Sequence, residues 1–413
     1  MSKMPKTKKI SRISNISPKI ANLKFEKQIL GTPQMKLSSS DKVVHWGVRN
    51  DYPYRLIDLY VNSVTHKACV DFAVNAIVGG GVEYDALGGV EIGSPNYYTS
   101  WDNFIKALAF DFALYGAFAF QVIMNKDRRT YSFFNQPFES VRFEAMDEDG
   151  VIPAAWVSSD WTAKQKFPPV RLPLFGFQDG ETIDYGQPYL FVYVSPNPVS
   201  PYYPLPPYIA GLKSIQAECE YLTYDLKSIT NGFVPAGSIS LPPVGTEEEK
   251  QAILKNIQQM FTGSENANSL LVFFREDSDD NPVNFTPFSL NNGHVDLFEA
   301  ANDRTISRIC AAHKVTSRGL IGFPMDDSGF SDSGSLLEAA FNIYNITTGN
   351  ASRLAILSAI NSAFALNGID LELQLKPLSY ASVSEERNAI GYTAYDGEPV
   401  DEDDATERVD NTI

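Results

Sequence analysis

The chain is poor in the residues that do chemistry. Its four histidines, His45, His66, His294 and His313, are scattered, and its three cysteines, Cys69, Cys219 and Cys310, are odd in number and far apart. Such cysteines fit small apolar core residues in a reducing compartment better than a disulfide framework. Cys310 and His313 would share a helix face, but with no second such pair they read as a packed thiol and a satisfied imidazole in preference to zinc ligands. No Walker sequence and no Rossmann fingerprint occurs, which argues against a nucleotide-driven motor. The triple glycine at 79–81 lacks a following Lys-Ser/Thr and reads as a helix stop. In "DSDDN", 277–281, a calcium loop fails because Pro282 stands where glycine is needed and Phe288 where a bidentate Glu is needed. "GFSDS", 329–333, lacks the closing glycine of a nucleophile elbow and a strand to feed it. Glu218 and Glu220, two apart on a helix, point in different directions and read as solvated or interfacial surface. The expectation is no catalytic residue, no metal and no cofactor.

Positive charge is also scarce. Thirty-four Lys and Arg against fifty Asp and Glu give a net charge of −16 and a pI near 4.7. A surface of that sign repels DNA, so any contact with nucleic acid must be local, transient or non-adhesive. Long apolar runs are missing too, since the most apolar stretch, 105–124, is broken by Lys106, Asp111 and Gly116. With no apolar signal core after the basic start, a soluble protein made in the cytoplasm is expected. What remains is globular: 413 residues, 44% apolar and 12% aromatic, enough for two or three modules or one elongated subunit.

Residues 1–27 hold eight Lys or Arg and one acid, as a solvated arm would. A helix is expected over about 51–78, capped by Asp51, with Pro53 in its first turn and Leu56, Leu59, Ser63, Val70, Ala73 and Ile77 facing the core. Ser100 starts a second helix, apolar almost all round, which Gly116 turns into strands at 117–124, 131–134 and 139–143. With strands at 154–157 and 189–194, these predict a helix-covered mixed sheet over about 46–200. Then "SPNPVSPYYPLPPY" carries six prolines in fourteen residues and marks a boundary. The helix after it spaces Ile209, Leu212, Ile215, Cys219, Leu222, Leu226 and Ile229 as a narrow seam of the coiled-coil type. A small α/β module follows at 233–291, with strands at 238–241 and 269–274 and a helix launched by Thr246. A second long helix covers about 294–314, its acids early and its bases late, as the helix dipole favours. "GFPMDDSGFSDSGS" is a loop, followed by helices at about 335–347 and 351–366, the strand "LELQLKPL" and an acidic tail from about 395.

The order of these parts resembles the portal (connector) proteins of tailed bacteriophages, of the siphovirus type. "WGVRNDYPYRLIDLYVNSVTHKACVDFAVNAIVGGGV" resembles the portal N-terminal region, and "DFALYGAFAFQVIMNKDRRTYSFFN" the helix, "YG", strand, turn, strand unit of its wing. "NGFVPAGSISLP" resembles the run after the first stem helix, and "ISRICAAHKVTSRGLIG" the end of the second, with Thr316 and Ser317 where prolines are usual. The resemblance covers about 43–380. It implies an α+β portal fold: a basic arm at 1–45, a mixed α/β wing at 46–205, stem helices at 206–231 and 292–314, a clip at 232–291, a tunnel-loop region at 315–334, a wing return with short helical crown at 335–380, and an acidic tail at 381–413. It also implies that the apolar helix before Gly116 is wedged in a core shared with neighbouring subunits.

Functionally the resemblance implies a non-enzymatic ring, a homododecamer, at the capsid vertex of the virion. Double-stranded DNA passes through its channel non-specifically during packaging and ejection. Major capsid protein, scaffold, the terminase large subunit and a head-tail adaptor are the implied partners, with assembly in the host cytoplasm and no membrane. The tunnel loop would face DNA with Met325, Asp326, Asp327, Ser328, Gly329, Phe330 and Asp332, its acids repelling phosphate and its apolar pair making brief contact. Another head-tail connector or minor capsid protein is the alternative. A glycan-acting hydrolase is a further one, and would need a carboxylate pair across a cleft.

Overall fold

The computed structural model describes residues 31–38, 42–84, 92–127, 129–175, 184–231, 237–241, 246, 248–253, 270–274, 284–287, 293–323 and 330–378. For 227–231, 237–240, 270–274, 284–287, 293–298 and 330–334 the backbone alone is described. The basic arm at 1–27, "DSDDN", residues 325–329 and the acidic tail lie outside the described residues.

Strand β1 (Met35–Leu37) pairs antiparallel with β2 (Val44–Trp46). The helix expected over 51–78 is two helices, α1 (Tyr52–Asn62) and α2 (Val64–Val78). Ser63 between them is extended, at φ −102° and ψ 116°, and its hydroxyl accepts the His66 N–H. A serine offers the backbone this local bond in competition with the helix, so a buried position that fits the apolar period becomes a cap. Asp51 stands before α1 without capping it and instead pairs with Arg49 at 3.1 Å, while Pro53 occupies the first turn as expected.

Helix α3 (Trp101–Tyr115) begins at Ser100, whose hydroxyl accepts the Asn103 N–H at 3.4 Å. Gly116 ends it in the left-handed region, at φ +80°, where a Cβ would lie 2.9 Å from the Leu205 carbonyl oxygen; both facts demand glycine. Strand β3 (Ala117–Met124) then pairs on either side with β4 (Tyr131–Gln136) and β8 (Pro188–Val194). A second sheet has the order β5 (Val141–Phe143), β6 (Ala154–Val157), β7 (Val170–Pro173). Both sheets are antiparallel throughout, not mixed. The pairs β3–β4, β5–β6 and β6–β7 join strands adjacent in sequence with no crossover helix between them, as antiparallel pairing allows. The strand expected at 139–143 starts only at Val141, after a 3₁₀ turn over Phe138–Ser140.

Helix α3 is buried within its own chain. It packs on β3 through Phe104 and Phe120, with ring centroids 5.6 Å apart, and Trp101 meets Phe364 edge-on at 4.8 Å. Nine of its fifteen residues are buried, including Trp101, Phe104, Leu108 and Tyr115, so most of its apolar circumference is covered by its own chain, while Ala107, Phe110 and Phe112 are half-buried.

After a 3₁₀ turn at Ile209–Gly211 comes α4 (Leu212–Asn231). A three-stranded sheet follows, ordered β10 (Leu270–Phe274), β9 (Gly237–Leu241), β11 (Asn284–Pro287), with β10 parallel and β11 antiparallel to β9. Thr246 caps a helical stretch at 248–253, accepting the Glu249 N–H at 3.3 Å. Helix α5 (Gly293–Ala312) then packs back against α4. Where prolines were the usual residues, Ser317 caps a 3₁₀ turn over Arg318–Ile321 by accepting the Gly319 N–H at 3.3 Å. Helix α6 (Phe330–Tyr344) starts inside the span expected as loop and runs through a π turn, Asn345–Gly349, into α7 (Asn350–Leu366). "LELQLKPL" is no strand. It lies along the glycine turn, where Lys376 accepts the Gly80 N–H at 2.8 Å and donates its own to Gly81 at 2.8 Å.

Candidate functional site

The chain's most distinctive feature is a projection: α4, the β9–β11 sheet and α5, rooted where α4 and α5 meet α1 and α2. Its root is polar as well as apolar. Glu218, nearly two turns into α4, is only 5% exposed, which corrects its reading as solvated surface. Its carboxylate accepts the Ser63 and Thr65 hydroxyls and, at 3.2 Å, the Thr65 backbone N–H. A negative charge thus sits on the unpaired N–H groups that begin α2, where the helix dipole favours it. Glu220, by contrast, is exposed.

Helix α5 meets α2 one layer further in. His66 Nδ1 and His313 Nε2 lie 2.9 Å apart, and Tyr208 covers both rings, stacked on His313 with centroids 4.7 Å apart. Burial lowers the His66 imidazole well below its ordinary value, with the neighbouring His313 adding to the effect. Burial alone brings His313 down to about 3. The histidines that looked scattered therefore include a neutral, hydrogen-bonded pair, formed across 247 residues and invisible to local spacing. The Cys69 thiol, buried in the same interface, is pushed up by its Cys310 neighbour and by burial. Among the described residues no group of three or more His, Cys, Asp or Glu is arranged to hold a metal ion.

A second anchor orders the segment before α1. Trp46 stacks on Tyr203 at 4.8 Å, and Arg142 of β5, wholly buried, lies beside Trp46 and Trp161. The Arg142 guanidinium donates to the Asn50 carbonyl at 3.0 Å and side chain, and to the Glu139 and Val141 carbonyls at 2.8 and 2.7 Å. Asn50 takes a positive φ of 60° and also accepts the Trp46 N–H at 3.0 Å. The "WGVRNDYP" motif is thus a tight turn clamped by one buried cation. Nothing local marked Arg142 for that role, since the strand pattern assigns a face and not a partner.

The seam residues do not share one environment. Leu212 and Ile215 are buried and Cys219 half-buried, whereas Leu222 is 42% and Leu226 63% exposed. Ile209 lies in the 3₁₀ turn before the helix, half-buried, and Ile229 falls where only the backbone is described. The seam is thus covered at its root and bare further out. A cleft of about 500 Å³ opens beside it, lined by Arg55, Leu59, Cys219, Glu220, Leu222 and Leu226. Of the expected tunnel-loop residues, Met325, Asp326, Asp327, Ser328 and Gly329 are outside the described residues, and Phe330 and Asp332 fall in the first turn of α6. No described helix is long and apolar enough to cross a membrane.

No family model matches the chain, and no curated protein matches it. Solved structures do. A chain in the neck of the empty gene transfer agent (GTA) particle, computed with C6 symmetry, aligns with 88% of this chain and 93% of its own length at a TM-score of 0.53 and 14% identity. One in the neck of the native GTA particle, computed with C12 symmetry, aligns with 87% and 96% at a TM-score of 0.51 and 14% identity. A looser similarity, TM-score 0.42 and 10% identity over 78% and 95%, is to an HK97 family phage portal protein from Corynebacterium diphtheriae. At 14% identity the two neck similarities speak to architecture, and over more than nine-tenths of their own length those GTA particle chains share the fold of this one.

Proposed function

We propose that this chain is the subunit of a portal ring, the head-tail connector at one vertex of a tailed-phage or phage-like capsid. The observation that carries the reading is the two long helices bracketing a small sheet, within a fold that chains in the GTA particle neck share over 87–88% of this chain. On this reading α4 and α5 are the stem, 232–291 the clip, 46–205 the wing, 315–334 the tunnel-loop region and 335–380 the wing return and short crown. The C12 symmetry of the similar neck supports a ring of twelve. The arm at 1–45 and the tail at 381–413 would extend from it.

The clip would dock the terminase large subunit during packaging and a head-tail adaptor afterwards, with scaffold and major capsid protein around the wing. Double-stranded DNA would pass through the channel without specific recognition. A net charge of −16 suits that role, because a basic wall would release counterions from DNA, bind it and stall it. Residues 325–330 and Asp332 would touch DNA through weak apolar contact set among repelling acids. No catalytic role and no cofactor is proposed.

Native mass spectrometry with negative-stain averages of the full chain tests the ring. Closed rings of about a dozen subunits around an open channel are expected, and a monodisperse monomer or dimer at high concentration would refute the reading. The loop has its own test. Deleting 325–332 should impair DNA packaging or retention while rings still assemble, and normal packaging by that deletion removes the loop's role.

A further inference from the structure

The helical run from α6 through the π turn to α7, residues 330–366, carries three charged side chains, Asp332, Glu338 and Arg353, in a chain that is 20% charged. Its inner face is buried through Phe341, Tyr344, Ile356 and Ile360, and Phe72 of α2 meets Tyr344 with ring centroids 4.8 Å apart. The outer face of such a helix is ordinarily polar. Here Leu336, Ile343, Ile346 and Leu354 stand exposed, Ile346 at 75%, and they recur in near-whole turns over about 27 Å of helix. Single exposed apolar residues are ordinary, whereas a line of them marks a contact surface.

Charge narrows the occupant. Duplex DNA needs cations, and the one base on this run, Arg353, is tied to the Ile77 and Ala76 carbonyls at 3.0 and 2.7 Å. The same lack of bases argues against an anionic lipid surface, whose amphipathic helices carry Lys and Arg beside the apolar face. A protein surface remains, and the chain itself offers one. Val61 and Val64 are exposed on either side of Asn62, and Asn62 and Leu222 line the α1–α4 cleft of about 500 Å³. The two patches are anchored at opposite ends of α2: Val64 begins that helix, whereas Arg353 binds the Ile77 carbonyl one residue before its end.

We propose that the Leu336–Leu354 ridge of one copy seats in the α1–α4 cleft of the next, a ridge-into-groove contact repeated around the ring. This inference rests on the ring reading proposed above. A cyclic ring needs two different and complementary patches on each subunit, because a self-complementary patch closes on itself as a twofold dimer. An apolar ridge and an apolar-edged groove, set apart on one chain, meet that need. The pairing also covers two surfaces that a lone protomer leaves wet, the charge-poor outer face of α6 and α7 and the bare part of α4 at Leu222.

The test uses the full chain. Cys219 is half-buried in the wall of the cleft, so a cysteine placed on the ridge meets it only across the contact between copies. Rings of Ile346→Cys treated with a flexible bismaleimide should run on denaturing gels as a ladder of linked chains, with the residue-346 and Cys219 peptides joined. The unaltered chain, treated alike, should run as single chains. In parallel, Ile343→Asp with Ile346→Asp should keep the circular dichroism of the protomer and abolish rings in sedimentation. Rings that survive both aspartates, or that link position 346 to position 346, would overturn the pairing and leave the ring reading standing. No rings from the unaltered chain would overturn both. If the aspartate variant does not fold, the cross-link map decides alone, and intact rings without a link between 346 and Cys219 count against the contact.

Discussion

Asp111, on the buried helix α3, is 4% exposed and accepts the Phe138 N–H at 3.0 Å, with Glu139 as an acidic neighbour. Burial, and then the Glu139 charge, raise its carboxyl well above the ordinary range. A raised folded value means that its stabilisation is full below the unfolded carboxyl pKa, about 4, and is lost as pH rises through the folded value. Asp111→Asn keeps the acceptor and removes the charge. It should leave the melting temperature near pH 4 unchanged and raise it at pH 8, as thermal scans across that range would show. The imidazole pair acts with the opposite sign. His66 and His313 are held low in the folded chain, so their contribution is full above about 6.5 and declines as pH falls towards the folded values. His313→Gln should flatten the acid limb of stability by one proton, about 1.4 kcal/mol per pH unit. Urea unfolding at pH 5 and pH 7 measures it, and an unchanged slope would contradict the assignment.

At the scale of elements, two junctions decide how the helices sit. Gly116 lets α3 turn directly into β3 beneath the Leu205 carbonyl, and Gly116→Ala meets both a left-handed backbone and a 2.9 Å contact. A loss of about 1–3 kcal/mol in a denaturant titration is expected. Ser63 bends α1 away from α2 and leaves the α1–α4 cleft open beside the outer seam. Leu222 and Leu226, exposed on α4, are apolar positions that a lone protomer leaves wet. If α4 is a stem helix, the double change Leu222→Asp and Leu226→Asp should keep the helical circular dichroism of the protomer and abolish rings in sedimentation. Both helix signals were readable in part. The αL glycine after an apolar helix and the 3-and-4 spacing of α4 are local patterns. The cap at Ser63 was not, because serine fits a helical face as well as a break until its hydroxyl's partner is known.

For the whole molecule, the burial of α3 among β3, α2 and α7 of the same chain means that the body does not wait on assembly to fold. If the chain forms the proposed rings, dissociating them by dilution should therefore yield compact protomers with unchanged far-ultraviolet circular dichroism and a cooperative thermal transition. Loss of that transition on dissociation would show that the core is shared. The sequence by itself determined the elements whose signals lie within a few turns or strand pairs: α3 and its glycine, the β3–β4 hairpin, the helix α4, and a succession of parts that pointed to one architecture. It also determined the net charge of −16. Only the tertiary structure decided which polar groups meet. Glu218 reaches Ser63 and Thr65, His66 reaches His313, and Arg142 reaches Asn50. Each pair joins residues far apart in the chain, and periodicity fixes which way a side chain faces without fixing what it faces. The expected strand at 371–378 is reduced to a single bridge, Leu375 with Val82, because the backbone beside it, Gly80–Glu83, is a short segment leaving a helix and not a strand.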